Sequence, residues 1–529
     1  MSDLAATLVL ALTTGVFAFL IPFASHRSYL LIQARRGREE DREPCSEEDL
    51  PLVTVQLPMY NERAVAERVI DAVCGLDYPT ALLEVQVLDD SDDVTSWLVE
   101  QRVAHWQARG VRIDHIRRSS RDGFKAGALA HGVAKAKGEF LLILDADFVP
   151  GPDLVRQLLP PMKDASVGMV QARWDHLNSD RNWLTEAQSF LLDGHFLYEQ
   201  GGRYAGGRFF NFNGTAGLWR RDALESSGGW RADTLTEDLD LSYRAQMAGW
   251  RFAYLDDVVV PAEIPETVMA LEVQQRRWAQ GGIQTGRKIL PELLRGDYPV
   301  GVKVEATIHL LGHLAHPLTW MLALLLFPSA VARRGLGLDH LLWLDLILFS
   351  AATVPFMIFY WTAGGTRGRP RRGRAGAVLR TLALGIGLSV PVSRAVLRGL
   401  RSCEDPFVRT PKQGEEERRA YPALSMPFDT IAKIGMVLVM TAYLVLALAG
   451  GYWGQLPFIL LFLSGYLGLG LPGLLESVGV GAELPARGVE DQEAQEGDPH
   501  SDARRDGLDP RSTVLIPTQS EVADECEAA

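Results

Sequence analysis

The residues best suited to chemistry are acids placed where apolar runs stop. Residues 85–88 pass straight into Asp89-Asp90-Ser91-Asp92-Asp93, and residues 140–144 pass straight into Asp145-Ala146-Asp147. Carboxylates crowded at one point repel one another unless a cation or hydrogen-bond donors stand among them. A hard divalent cation takes oxygen ligands and bridges readily to a diphosphate, so it is the natural occupant. An isolated Asp-x-Asp would equally suit a solvated turn. Two acid clusters, each closing an apolar run, favour a site.

The elements that would hold these acids follow from the same runs. Between about residues 50 and 260, short β-rich segments at 52–57, 85–88, 111–116, 140–144 and 167–172 alternate with segments of helical composition such as 63–73 and 125–136. Such alternation predicts an α/β domain with a mostly parallel sheet covered by helices. Ligands of such sheets sit at the carboxyl ends of the strands, where both acid clusters lie.

Outside that region the chain is far more apolar, and 47% of its 529 residues are hydrophobic. Stretches at 5–24, 306–331, 340–361, 432–450 and 453–475 each reach the roughly 20 apolar residues that cross a bilayer. The first lacks a basic start and is followed by Arg27, Arg35, Arg36 and Arg38. That order predicts an uncleaved anchor with its amino end outside and the α/β domain in the cytoplasm. Residues 367–374, the most basic stretch, belong on the same side. Residues 377–398 are interrupted by Arg380, Pro391 and Arg394, and are read as an amphipathic helix in the interface, the alternative being a sixth crossing.

The net charge of −13 resides mostly in a tail rich in Glu490, Asp491, Glu493, Glu496 and Asp498, which reads as solvated and disordered. Cys45, Cys74, Cys403 and Cys526 lack the spacing of a zinc site or a disulfide scaffold. His309, His313 and His316 stand at helical spacing without acidic or cysteine partners and read as a polar stripe with no metal.

Further motifs fall in a fixed order: Pro58-Met59-Tyr60-Asn61-Glu62, the acids at 89–90, Arg121-Asp122-Gly123-Phe124-Lys125-Ala126-Gly127, Asp145-Ala146-Asp147, Asn213-Gly214-Thr215-Ala216-Gly217, Thr236-Glu237-Asp238 and Gln274-Gln275-Arg276-Arg277-Trp278. Over most of residues 50–415 this set resembles the inverting family 2 glycosyltransferases of GT-A fold, and among them the cellulose synthase superfamily. The resemblance implies that Asp89 or Asp90, with Tyr60, Asn61 and Glu62, holds the base and ribose of a nucleotide-sugar donor. Asp145 and Asp147 would hold Mg2+ or Mn2+ on its diphosphate, with Lys125 and Arg277 facing the donor. Asp238 would be the general base that takes the proton of the acceptor hydroxyl in a single inverting displacement. Trp278 would stack on an acceptor sugar, Gln274 lies one helical turn earlier on the same face, and Asn213, Gly214 and Thr215 would form the acceptor-side loop.

Phe407-Val408-Arg409-Thr410-Pro411-Lys412 resembles the gating loop of cellulose synthases, with Thr410 and Lys412 approaching the diphosphate. Arg409 departs from cellulose synthases proper and is closer to the mannan, glucomannan and glucan synthase-like branch. The implied plan is an anchor at 1–26, a cytoplasmic GT-A domain with an interfacial helix at 27–300, a transmembrane helix pair at 301–362, an interfacial helix and gating loop at 363–430, a second pair at 431–476 and the acidic tail at 477–529. The implied function is processive transfer of hexose from GDP-mannose or UDP-glucose to a growing β-linked polysaccharide, with translocation of the product as a further step. Membrane lipid is a partner, nucleic acid is not, and a bacterial plasma (inner) membrane is the expected place. Transfer of one sugar to a lipid acceptor is the alternative. A transport or scaffold protein with a degenerate domain is disfavoured because Asp90, Asp145, Asp147 and Asp238 are all present.

Overall fold

The structure, a computed structural model, describes residues 2–37, 43–401 and 427–477. The expected gating loop with Thr410 and Lys412, and the acidic tail beyond residue 477, lie outside the described residues. Seven strands form one sheet: β1 (Val53–Met59), β2 (Leu83–Asp89), β3 (Arg112–Arg117), β4 (Phe140–Ile143), β5 (Val167–His176), β6 (Gly217–Arg220) and β7 (Arg251–Ala262). Their order is β3-β2-β1-β4-β6-β5-β7. Only β6 runs antiparallel to its neighbours β4 and β5; every other pairing is parallel.

Both faces of the sheet are covered: β4 is wholly apolar and buried, and every residue of β2 is buried, Glu84 and Gln86 included. Parallel register brings Met59 level with Asp89 and Gln56 level with Ile143. The chain therefore leaves β1, β2 and β4 at one end of the sheet, and both acid clusters gather there. All five expected strands are present. β6 and β7 were not anticipated: β6 has four residues and starts inside a glycine-rich segment, while Asp256 and Asp257 interrupt the apolar pattern of β7. In the pairing of β5 with β7 the register slips between Ala172 and Arg173, opposite Leu255 and Val259, so the two aspartates bulge out to solvent.

Among the described residues five helices are long and apolar enough to cross a membrane: Asp3–Ala34, Gly312–Gly335, Asp339–Thr366, Phe428–Gly450 and Trp453–Glu476. They fit a membrane protein and fall on the five expected stretches. The first runs well beyond the apolar segment, so the boundary expected at residue 26 lies inside one continuous helix. The expected single helix at 377–398 is instead a pair, Arg371–Gly387 and Ser389–Arg401, bent by 45°. Pro391 has no amide hydrogen to offer the carbonyl one turn back, and it falls in the first turn of the second helix.

Helix Val268–Arg295 joins the sheet to these membrane helices. At its amino end Glu476 accepts the amide hydrogens of Val268 (3.0 Å) and Met269 (2.9 Å), a carboxylate at the positive end of the helix dipole. One turn on, Glu272 pairs with buried Lys433 at 2.5 Å, and Arg276 reaches Asp429 at 3.1 Å.

Removing one member of the buried pair, Lys433→Met, is expected to destabilise the protein by about 3 kcal/mol, because the Glu272 carboxylate loses its countercharge. The double variant K433M/E272L removes both charges and is expected to recover most of that loss. Thermal unfolding of the detergent-purified protein checks this, and equal losses in single and double variants would contradict the pairing.

Candidate active site

One cleft opens at the carboxyl ends of β1, β2 and β4, and it draws its walls from segments spread between residues 58 and 278. Its empty space, open solvent at the mouth included, is about 1310 Å³.

One end is built by the turn after β1. Tyr60 and Glu62 line the cleft, and the guanidinium of Arg121 lies 3.2 Å over the centre of the Tyr60 ring. Asn61 stands at φ 54° and is stitched to the acidic turn after β2. Its amide donates to Asp92 (2.7 Å), and its carbonyl accepts the Asp92 backbone N–H (3.1 Å). Asn61 thus shapes the rim and does not line the cleft. Asp90 lines it, gripped by both arms of the Arg118 guanidinium. Asp89 does not: it is buried, accepting from His115 Nε2 (2.8 Å) and from the Ser91 backbone N–H (2.9 Å). Burial works to raise its pKa, but the His115 and Ser91 bonds outweigh that and hold it below the usual carboxylate range. Of the two expected acids, Asp90 alone faces the cleft.

The floor follows β4. Asp145 and Asp147 both line the cleft. The Asp145 backbone N–H donates to Thr215 Oγ1 at 2.8 Å, so Thr215, fully buried, fixes the acidic loop from behind. Lys125 Nζ donates to Asp145 Oδ1 at 2.5 Å and to the Gly214 carbonyl at 3.0 Å. Burial works against its charge, yet Asp145, Glu237 and Asp238 together hold its pKa above the ordinary lysine value. Among the described residues no group of three or more His, Cys, Asp or Glu side chains is arranged to hold a metal. Two hard carboxylates on one loop still fit a cation of the Mg2+ type, which binds through one or two carboxylates and keeps its remaining positions for water and phosphate oxygens.

Opposite the floor stands Asp238, in the first turn of helix Glu237–Met247, with Oδ1 accepting the Leu239 backbone N–H at 2.8 Å. Burial foremost, then the charge of Glu237, pushes its carboxyl up to about 7, against the pull of Lys125 and Arg277. Gly214 passes so close that an added Cβ would lie 2.9 Å from Asp238 Oδ2, and its φ of +81° suits glycine alone. Helix Val268–Arg295 closes the cleft. A Cβ at Gly281 would sit 2.8 Å from the Thr236 backbone nitrogen, and this near contact brings Gln274, Arg277 and Trp278 into the same cleft as Asp238. Trp278 rests on Leu192, Phe196 and Ile264 and leaves the rest of its ring to the cleft.

The cleft therefore gathers Tyr60, Glu62, Asp90, Lys125, Asp145, Asp147, Asn213, Gly214, Asp238, Gln274, Arg277 and Trp278. It also contains residues that sequence reasoning missed. Arg121 covers Tyr60, and Asp175 and His176 lie at the end of β5, which the expected strand cut short at residue 172. Glu263 follows β7 and pairs with Arg68 at 2.8 Å. Extending β5 and recognising β7 would have exposed these positions by the strand-end rule. Of the three histidines at helical spacing, His309 bonds Tyr243 Oη at 2.9 Å, and His313 stacks on His316.

Residues 51–281 match the family model described as glycosyltransferase like family 2. The chain is 43% identical over 260 residues to glucomannan 4-beta-mannosyltransferase 2 of Arabidopsis thaliana, covering 48% of this chain and 49% of that protein. To glucomannan 4-beta-mannosyltransferase 1 of Oryza sativa subsp. japonica it is 38% identical over 320 residues, covering 57% of this chain and 61% of that protein. The match thus spans about half to three-fifths of the length of these curated relatives. Among solved structures, a mannosyltransferase from Pyrobaculum calidifontis, determined with GDP-Man and Mn2+, aligns with a TM-score of 0.51 at 22% identity over 75% of this chain and 100% of that one. That likeness shows a shared GT-A-type fold. Family model, relatives and the ordered motifs agree: residues 51–281 are similar to glycosyltransferase like family 2, and the relatives matched are glucomannan 4-beta-mannosyltransferases.

Proposed function

We propose that this protein is a processive inverting glycosyltransferase that moves a hexosyl group, mannosyl foremost, from a nucleotide diphosphate sugar to the growing end of a β-linked polysaccharide. The observation that carries this reading is the meeting of Asp238 with Asp145 and Asp147 in one cleft, with Lys125 between them. The names of the curated relatives support mannose and a β-1,4 linkage, and the Pyrobaculum enzyme's ligands make GDP-mannose with a divalent cation the first choice of donor and cofactor.

The residues divide the work by charge and shape. Tyr60, stacked under Arg121, and Asp90, oriented by Arg118, form the nucleoside end. Lys125 and Arg277 bring positive charge to the diphosphate. Asp145 and Asp147 would hold Mg2+ or Mn2+, which when bound acts as a Lewis acid on the leaving diphosphate. Asp238 accepts the acceptor hydroxyl's proton as that oxygen attacks the anomeric carbon from the face opposite the phosphate. Its carboxyl, raised to about 7 by burial and Glu237, is matched to proton transfer near neutrality. Trp278 offers a flat ring for the acceptor sugar.

The cleft faces the cytoplasm in this reading. Arg367, from the basic stretch, pairs with Asp175 and lies 3.3 Å from Asp193 of the catalytic domain, so the positive-inside signal and the cleft share one side of the membrane.

Purified full-length protein given labelled GDP-mannose or UDP-glucose with Mg2+ or Mn2+ is expected to form an insoluble β-1,4-linked polymer from GDP-mannose. A single labelled lipid would replace the processive reading with single transfer. Asp238→Asn is expected to lower kcat by about 10²–10⁴-fold, the usual contribution of a general base, with GDP affinity unchanged; full activity in this variant would remove Asp238 from the mechanism. Because the base must be ionised, the rate is expected to rise with pH through about 7. Glu237→Gln removes a charge that holds the Asp238 pKa up, so this limb moves to lower pH. A limb that stays in place or moves up would refute the assignment.

A further inference from the structure

Asn213 lines the cleft beside Gly214, and its side chain is held from two directions. Gln200 Nε2 donates to Asn213 Oδ1 at 2.6 Å, and Asn213 Nδ2 meets His195 Nε2 at 3.0 Å. Both partners belong to a π-helical segment, His195–Gln200, a rare conformation found mostly as single turns and frequently at functional sites.

Hydrogen-bond polarity runs through this group without a free choice. Gln200 Nε2 also donates to the Asn211 carbonyl at 2.7 Å, so the nitrogen must face that way and Asn213 must turn its oxygen toward Gln200. Its nitrogen then faces His195 Nε2, which must be the bare, accepting nitrogen of the ring. The proton of His195 consequently sits on Nδ1, which lies 3.0 Å from Glu199 Oε2. Glu199 is ionised: burial opposes its charge, but Arg27, His195 and Arg203 hold its pKa well below the usual carboxylate value. Arg27, on the first membrane helix, reaches Glu199 Oε1 at 2.9 Å.

With the oxygen and one amide hydrogen of Asn213 already committed, the second amide hydrogen remains for the cleft. We infer that His195 is a positioning residue whose tautomer, fixed by Glu199 and Arg27, obliges Asn213 to present an N–H donor to an oxygen of the acceptor sugar. This rests on the reading of the cleft as a polysaccharide-elongating site. Gly214 places that donor next to Asp238, where the acceptor hydroxyl must lie.

Side-chain length supplies the test. In His195→Gln the amide oxygen reaches the position of Nε2 and can still accept from Asn213. In His195→Asn the shorter amide can still donate to Glu199 but falls short of Asn213. With full-length protein, GDP-mannose and β-1,4-mannohexaose, H195N is expected to raise the acceptor KM by about tenfold, the upper reach of one hydrogen bond. The KM for GDP-mannose and kcat should stay within about twofold by the same reckoning, and H195Q is expected to return the acceptor KM to near the wild-type value. An unchanged acceptor KM in H195N would overturn the inference. So would equal damage from both variants, or a loss spread evenly over kcat and both KM values. Failure of the underlying reading looks different, since the wild-type chain would then transfer no mannose to mannohexaose.

Discussion

Carboxylates confined at one end of a sheet must be given countercharge, and the way this cleft distributes its cations governs the rest of its chemistry. Asp90 has Arg118 to itself and Glu263 has Arg68. Asp145, Glu237 and Asp238 instead share Lys125, whose ammonium donates to Asp145 and to the Gly214 carbonyl. Asp238 feels that charge at a distance, while burial and Glu237 act on it directly. The result is a pair of acids in different surroundings, Asp145 bonded to an ammonium and Asp238 raised to about 7 by burial and Glu237.

Such a balance survives only if the groups cannot drift, and the membrane helices supply the restraint. Helix Val268–Arg295 carries Arg277 and Trp278, and its other face is tied to Glu476, Lys433 and Asp429 on two apolar helices. On the other side of the cleft Arg367 and Arg369, which follow helix Asp339–Thr366, pair with Asp193. His26 on the first helix bonds Glu305 at 2.7 Å. These side chains come from both sides of the division that a reading by hydropathy draws. The catalytic surface and the membrane segment are therefore one packed unit, and charges near the bilayer serve as fasteners as well as signals of orientation.

Much of this was legible in the sequence because apolar runs, strand ends and acids are local features. The five runs gave five strands, and the acids after β2 and β4 stood at the cleft without any knowledge of topology. What escaped was decided by residues far apart in the chain. Asp89 and Asp90 are adjacent and chemically alike; His115 on β3, reaching Asp89 across the sheet, and Arg118, gripping Asp90, separate them. Thr215 and Asn61 sit inside motifs and act from behind them. β7 was hidden because Asp256-Asp257 break its alternation, a bulge that makes sense only against its partner β5. No periodicity announces a π-helical turn, so His195 and Gln200 had no local signal at all.

Glycine explains why distant segments converge so closely around Asp238. The segment through Gly214 and the helix through Gly281 approach the Thr236–Asp238 turn from two sides, and at both points the closest atoms are already where a methyl group would have to go. Interiors are packed too densely to absorb such a group without moving the backbone. A side chain at Gly214 would displace the carboxylate itself, whereas one at Gly281 would lift the helix and carry Arg277 and Trp278 away with it. The two positions thus control different distances, Asp238 to the floor and Asp238 to the roof. A cleft assembled from sequence-distant acids depends on both being set at once, which is why the glycines belong to its geometry although neither adds a side chain to it.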